Sequence, residues 1–148
     1  MQVSAIEQRL RQWHGQEQAS QRIAEIPGVG LLTATAAIAT MGDAKVFKSG
    51  REFAAWLGLV PRQTGTGGRV RLLGISKRGD TYLRTLLIHG ARAVMTHSRK
   101  PPAWALRLMA RRPKNIAIVA LANKMARTIW ALSAYKRAYQ PEYSSQPA

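Results

Sequence analysis

Apolar residues along this chain recur mostly three or four positions apart, the spacing of helices that pack on one side. The period is loosest at the start. Residues 3–25 set Val3, Ile6, Leu10, Trp13 and Ile23 among many glutamines, with Gly15 interrupting. That pattern predicts a polar helical arm that packs on a partner chain or on a segment not present here. IPGVG (26–30) breaks it, and an Ala-rich stretch over 33–41 predicts a short buried helix closed by Gly42 and Asp43. Ser49, with Glu52 three residues on, predicts an N-cap and capping box for a helix over 50–57, whose apolar stripe is Phe53, Trp56 and Leu57.

The next segment, 60–74, loses the helical period. Val70 and Leu72 alternate with Arg69 and Arg71, which suits a loop or a small β-hairpin. Helical spacing resumes at residue 79 or 80 and runs to about 97, with Tyr82, Leu83, Leu86, Leu87 and Val94 as its buried face and Gly90 and Ala91 permitting close packing. Pro101 and Pro102 start a helix over 103–110. Pro113 opens a long one over 114–138, with Ile116, Val119, Ala120, Met125, Ile129, Trp130 and Leu132 inward. The whole reads as an all-α helical bundle containing a helix-hairpin-helix module and a Gly/Thr-rich basic loop. Its expected divisions are an arm over 1–25, a main domain over 26–138 and a disordered tail over 139–148. No internal repeat is visible.

Charge changes this picture most. In 148 residues there are 23 Lys or Arg against 7 Asp or Glu, a formal net charge of +16. Twelve Lys or Arg and one acid, Asp80, fall between Arg62 and Arg112, so that segment carries +11 of the total. A chain that is 46% hydrophobic has enough apolar residues for a core, so the basicity does not mark a disordered tail. It points to a polyanionic partner, with nucleic acid ahead of an anionic membrane surface. There is no cysteine, hence no disulfide framework and no thiolate metal site, which is compatible with a reducing cytoplasm. No run of some 18 apolar residues is present. The seven acids are scattered, and no pair is placed for a two-metal nuclease site, so no metal ligand is assigned. His14, His89 and His97 stand too far apart for a local ligand cluster; His89, mid-helix, reads as a packing residue.

Three motifs carry candidate chemistry. In the hairpin, the N–H groups of Gly28, Val29 and Gly30, together with the following helix N-terminus, would cradle a phosphate without reading sequence. The alternative is a plain helix–helix turn. The loop QTGTGGR (63–69) lacks the GK[ST] ending of a Walker A. Its Thr64 and Thr66 offer hydroxyls, and Arg62, Arg69 and Arg71 could stabilise charge on an attacked phosphate. Composition alone equally allows a surface loop with no chemistry. ISKRGD (75–80) sets Ser76, Lys77 and Arg78 ahead of a helix N-terminus, an anion site or an ordinary basic turn. Trp104, among Arg99, Lys100 and Arg107, is either a core residue or a base-stacking one.

The ordered series IPGVG, TATAAIATMGD, REFAAWLGLVPRQ and TGGRVRLLGISKRGDTYLRTLLIHGARAV resembles the C-terminal domain of the DEDD insertion-sequence transposases. These are described as guided by a bridge or seek RNA. The resemblance spans about residues 23–134. It implies double-stranded DNA and a guide RNA as partners, a homo-oligomer in the bacterial cytoplasm, and no membrane. The 3–25 helix would be the end of a coiled-coil segment. It further implies a separate RuvC-like domain whose carboxylates bind Mg²⁺; this chain itself would hold no cofactor. The family's C-terminal domain supplies a serine that attacks DNA to form a phosphoserine link within a composite active site. That serine lies a few residues after the PR of LxPR, directly before a glycine. The matching position here is Thr66, followed by Gly67, or Gly65 if the gap falls one residue earlier. The chain thus departs from the serine pattern, and threonine's extra methyl restricts χ1 and crowds the attack. Thr64 and Ser76 are the other candidate hydroxyls, Ser76 being the runner-up. Arg62, Arg69, Arg71, Lys77 and Arg78 would contact the transition state or the DNA backbone, with Arg84 on the helix that follows. The competing expectations are a binding module without catalysis and an RNA-binding protein.

Overall fold

The computed structural model describes residues 2–59 and 77–140. They form seven α-helices: α1 (Gln2–Gln16), α2 (Gln18–Ala24), α3 (Leu31–Met41), α4 (Gly50–Trp56), α5 (Lys77–His97), α6 (Ala103–Arg111) and α7 (Lys114–Ala134). A single 3₁₀ turn, Ala44–Val46, links α3 to α4, and no strand occurs among the described residues. The expected all-α class is the observed one.

α7 is the axis of the bundle. It packs against α2, α4, α5, α6 and the 3₁₀ turn, while α3 packs on α2 and α5 and carries α1 on its side. The sequence of α7 allows this because its buried positions come in adjacent pairs every four residues, a broad apolar face: Ala117, Ile118, Leu121, Ala122, Met125, Ala126, Ile129 and Trp130, with Leu132 beyond. Alanines let neighbouring helices approach, and the larger residues fill the space between. By length and composition α7 could cross a membrane, but about half of it is buried inside the bundle. It is the core helix.

Side-chain contacts across the chain lock this arrangement. Trp130 Nε1 donates to the Ala44 carbonyl at 2.8 Å, tying α7 to the 3₁₀ turn. Phe47 sits edge-on to Phe53, with centroids 5.1 Å apart, and 5.3 Å from Trp56. Ser49 caps α4 as expected, its Oγ accepting from the Glu52 N–H at 3.1 Å. The reciprocal bond is displaced by one residue: Glu52 accepts from the Lys48 N–H rather than from that of Ser49.

Several expectations need correction. The arm is interrupted at Glu17 and not at Gly15, which lies within α1. Glu17 is extended (φ −105°, ψ 106°) and separates α1 from α2. The break is held because Gln21 Nε2 donates to the carbonyls of His14 and Gly15, and His14 Nδ1 lies 2.7 Å from the buried Ser20 Oγ. Tyr82 is 49% exposed and His89 is exposed, because the buried stripe of α5 is Leu83, Leu87, Ala91 and Val94 and neither residue lies on it. Ile116 is also exposed, in the first turn of α7, one residue before its first buried position, Ala117. α7 ends at Ala134 rather than 138: Lys136 takes φ 54° and the Arg137 N–H bonds to the Leu132 carbonyl, a Schellman termination without glycine. Beyond it, Tyr139 packs against the core, and burial raises the pKa of its hydroxyl.

Candidate nucleic-acid interface

The IPGVG turn is built from the inside out. Ile26 and Val29 are buried and anchor it to the core. The Ile26 N–H donates to Ile23 O (3.1 Å) and the Val29 N–H to Ile26 O (3.0 Å). The Val29 amide, a sequence candidate for phosphate, is therefore engaged within the turn. Gly28 has φ +88°, a conformation that favours glycine, and its backbone lies directly on Gly90 of α5. A Cβ on Gly28 would stand 2.9 Å from the Gly90 carbonyl oxygen and 2.9 Å from Val94 Cγ2. Two glycines, 62 positions apart in the numbering, thus hold the hairpin against the middle of α5.

Gly30, in contrast, faces open space and is the extended N-cap of α3, with no side-chain cap bond. Its carbonyl accepts from the Ala34 N–H at 2.9 Å. Leu32 beside it is exposed. The tip of α3 is therefore open to solvent at Gly30 and Leu32, where the positive end of the helix dipole lies, while Thr33 and Ala34 of the same turn are buried.

A second feature lies where α4 ends. The Leu59 N–H bonds to Ala54 O (3.0 Å) and the Gly58 N–H to Ala55 O (2.9 Å), a complete Schellman motif with Gly58 at φ +79°. Leu59 is buried, and its carbonyl accepts from Asn123 Nδ2 of α7 at 3.0 Å. Arg84 lays its guanidinium over Gly58, where an added Cβ would be 2.8 Å from Nη1. This cation therefore sits at the negative end of α4, a placement favoured by the dipole. Arg84, expected among the DNA contacts, is half-buried beside Gly58, close to the last described residue before position 60.

Arg62, Thr64, Thr66, Arg69, Arg71 and Ser76 lie outside the described residues. Lys77 and Arg78 form the first turn of α5. Asn123 was missed by sequence reading. The available signal was an amide in the otherwise apolar run IAIVALAN, where a polar side chain needs a partner. Trp104 is half-buried, with Lys124 Nζ 5.4 Å from its ring centroid, so packing and a cation–π contact occupy it. Among the described residues no group of three or more His, Asp or Glu could hold a metal ion.

Residues 20–106, which hold the IPGVG turn, the Schellman turn, the basic sequence segment 60–76 and α5, match the family described as Transposase IS116/IS110/IS902. The chain belongs to the IS116/IS110/IS902 transposase family. Among curated relatives, it is 55% identical over 127 residues to a Pseudomonas aeruginosa protein named "Probable family 20 transposase", covering 82% of this chain and 37% of that one. It is 50% identical over 124 residues to the transposase for insertion sequence element IS1111A of Coxiella burnetii (81% of this chain, 34% of the relative). It is 40% identical over 136 residues to the transposase for insertion sequence element IS1328 of Yersinia enterocolitica (89% and 41%). The chain thus spans between a third and two-fifths of the length of these transposases. The family match ends in α6, so the axial helix α7 lies beyond the matched segment.

Proposed function

We propose that this chain is the nucleic-acid-gripping, hydroxyl-bearing domain of an insertion-sequence transposase, acting in DNA strand cleavage and rejoining. The observation that carries the reading is the family match over a segment that combines the outward hairpin with a strongly basic loop. In this reading the hairpin is a helix-hairpin-helix element that holds backbone phosphate at the N-terminus of α3. The loop over 60–76 brings Thr66, or Thr64 or Ser76, to a phosphodiester. A bond forms from the hydroxyl oxygen to phosphorus as a bridging P–O bond breaks. The hydroxyl proton passes to an acceptor outside this chain's described residues, and the departing oxygen is reprotonated. Arg62, Arg69 and Arg71 offset the charge that builds on the non-bridging oxygens.

A RuvC-like domain with Mg²⁺ would complete the site. The described residues do not fit that metal, since no carboxylate cluster is available. In this reading the separate RuvC-like domain would hold the ion. Guide-RNA binding, assembly into a homo-oligomer and a place on the bacterial nucleoid belong to the same proposal. Exposed Ile6 (57%) and Trp13 (39%), one face apart from the core on α1, support the oligomer.

The replacement of serine by threonine at position 66 favours a second reading, a binding module that grips DNA without forming a covalent link. The experiment is transposition by a full-length protein carrying this domain, with trapping of a protein–DNA adduct. Thr66→Ala should abolish both while duplex binding persists, and Thr66→Ser should retain both. Undiminished adduct in Thr66→Ala would move the nucleophile to Thr64 or Ser76. Loss in none of the three would leave the binding module.

A further inference from the structure

From residue 81 to 141 the chain has twelve Lys or Arg and no Asp or Glu. α6 and α7 therefore contain no internal counter-charge, and neither does α5 beyond Asp80. α6 packs on α7 through Trp104, Ala105, Leu108 and Met109, which are buried or half-buried. Its exposed residues are Ala103, Leu106, Arg107, Ala110 and Arg111, a strict i, i+3, i+4, i+7, i+8 face. Arg99 and Lys100 precede this face, and Arg112 and Lys114 follow it, all exposed.

We propose that the outer face of α6, with these flanking cations, is a second backbone-binding surface for duplex DNA, separate from the hairpin. It rests on the reading of the chain as a nucleic-acid binder but not on the hairpin or the loop. The surface is pre-organised. The Ser98 N–H bonds to Val94 O (3.1 Å), and Ser98 Oγ accepts from the Lys100 N–H (3.2 Å). Pro101 and Pro102 fix their own φ, and the Pro102 carbonyl accepts from Ala105 and Leu106. A nine-residue helix is about 14 Å long, a length over which a duplex presents about eight phosphates. Arg107 and Arg111 are one turn apart, about 6 Å along the axis. The aromatic residue of α6, Trp104, is half-buried and already carries Lys124 on its ring, so this face of the helix offers charge without a stacking platform. That combination suits backbone contact on a duplex rather than base stacking on a single strand.

The test is the salt dependence of binding of the whole chain to a short DNA duplex, with an RNA hairpin of equal length as the second arm. Replacing Arg107, Arg111 and Arg112 together by Gln should lower the log–log salt slope by about 2.7, at ~0.9 per lost phosphate contact, and affinity near 0.1 M salt by a few hundred-fold, on the order expected from that slope. Lys at the same three positions should keep the slope. A matched triple, Lys45→Gln, Lys48→Gln and Arg51→Gln, removes equal charge from exposed sites around the start of α4 and should change the slope by less than about 1. Circular dichroism would show the variants folded. An unchanged slope in the α6 triple, or equal losses in both triples, overturns the proposal. So does a loss confined to the RNA arm. A wild-type chain that fails to bind duplex even near 0.05 M salt would sink the nucleic-acid reading itself, an outcome distinct from the others.

Discussion

Gly90→Ala is the sharpest probe of how the hairpin is held. In a helix interior this change ordinarily stabilises, by up to about 1 kcal/mol, because glycine has more backbone entropy to lose. Here the new methyl would fall inside the contact envelope of the Gly28 carbonyl oxygen and 3.1 Å from the Gly28 carbonyl carbon, with Met125 Cε at 3.3 Å. Ordinary contact begins at 3.4 Å. The methionine can move, but the Gly28 carbonyl is main chain, held by the φ +88° turn and by buried Ile26 and Val29 on either side. Overpacking ordinarily costs about 1–3 kcal/mol, and a clash with main chain that cannot yield puts this case in the upper part, about 2–3 kcal/mol. It exceeds the propensity gain, leaving a net loss of about 1–2 kcal/mol. For a chain of this size that is a fall in Tm of roughly 2–8 °C. Gly15→Ala supplies the contrast. Gly15 is helical and has nothing within 4 Å of an added Cβ, so the same substitution should leave Tm level or raise it. Differential scanning calorimetry of both variants beside wild type decides the matter. If Gly90→Ala melts at or above wild type, the hairpin does not rest on α5 through this glycine pair.

Three further outcomes are expected. Trp130→Phe removes the donor to the buried Ala44 carbonyl and should cost about 1–3 kcal/mol in urea unfolding; a neutral result would mean that carbonyl finds another partner. Ser49→Ala removes the cap of α4 and should cost about 1 kcal/mol, whereas Ser49→Asp should restore it; equal stability of all three proteins would discount the cap. Asn123→Ala leaves the Leu59 carbonyl without its 3.0 Å donor and should cost about 0.5–1.5 kcal/mol. In a full-length protein, transposition should fall further than stability does, and transposition at the wild-type level would show that the Asn123–Leu59 bond serves stability alone.

Much of the local structure was legible in the sequence. The Ser49 cap, the breaks at IPGVG and Pro101–Pro102, and the helical class all follow from short-range chemistry: a hydroxyl that can accept an N–H, a ring that fixes φ, an apolar residue every third or fourth position. Misreadings arose where a position's face depended on a distant helix. Tyr82 and His89 lie on helical turns like their neighbours, but α3 and α7 cover only the stripe through Leu83, Leu87, Ala91 and Val94. For the candidate interface, spacing could mark the glycines of the hairpin but could not say which of them faced inward.

What the sequence determined by itself is the helical class, the breaks at IPGVG and Pro101–Pro102, the cap of α4, and the gathering of positive charge. These depend on backbone propensity, capping and net charge, which act within a few residues or need no geometry at all. The tertiary structure decided the partners. Gly28 lies on Gly90, Trp130 reaches Ala44 across 86 residues, Asn123 reaches Leu59 across 64, and the Val29 amide is turned inward while Gly30 is left open. Such contacts are chosen by packing of whole helices around α7, where an atom's nearest neighbour is fixed by the fit of surfaces and not by its place in the chain.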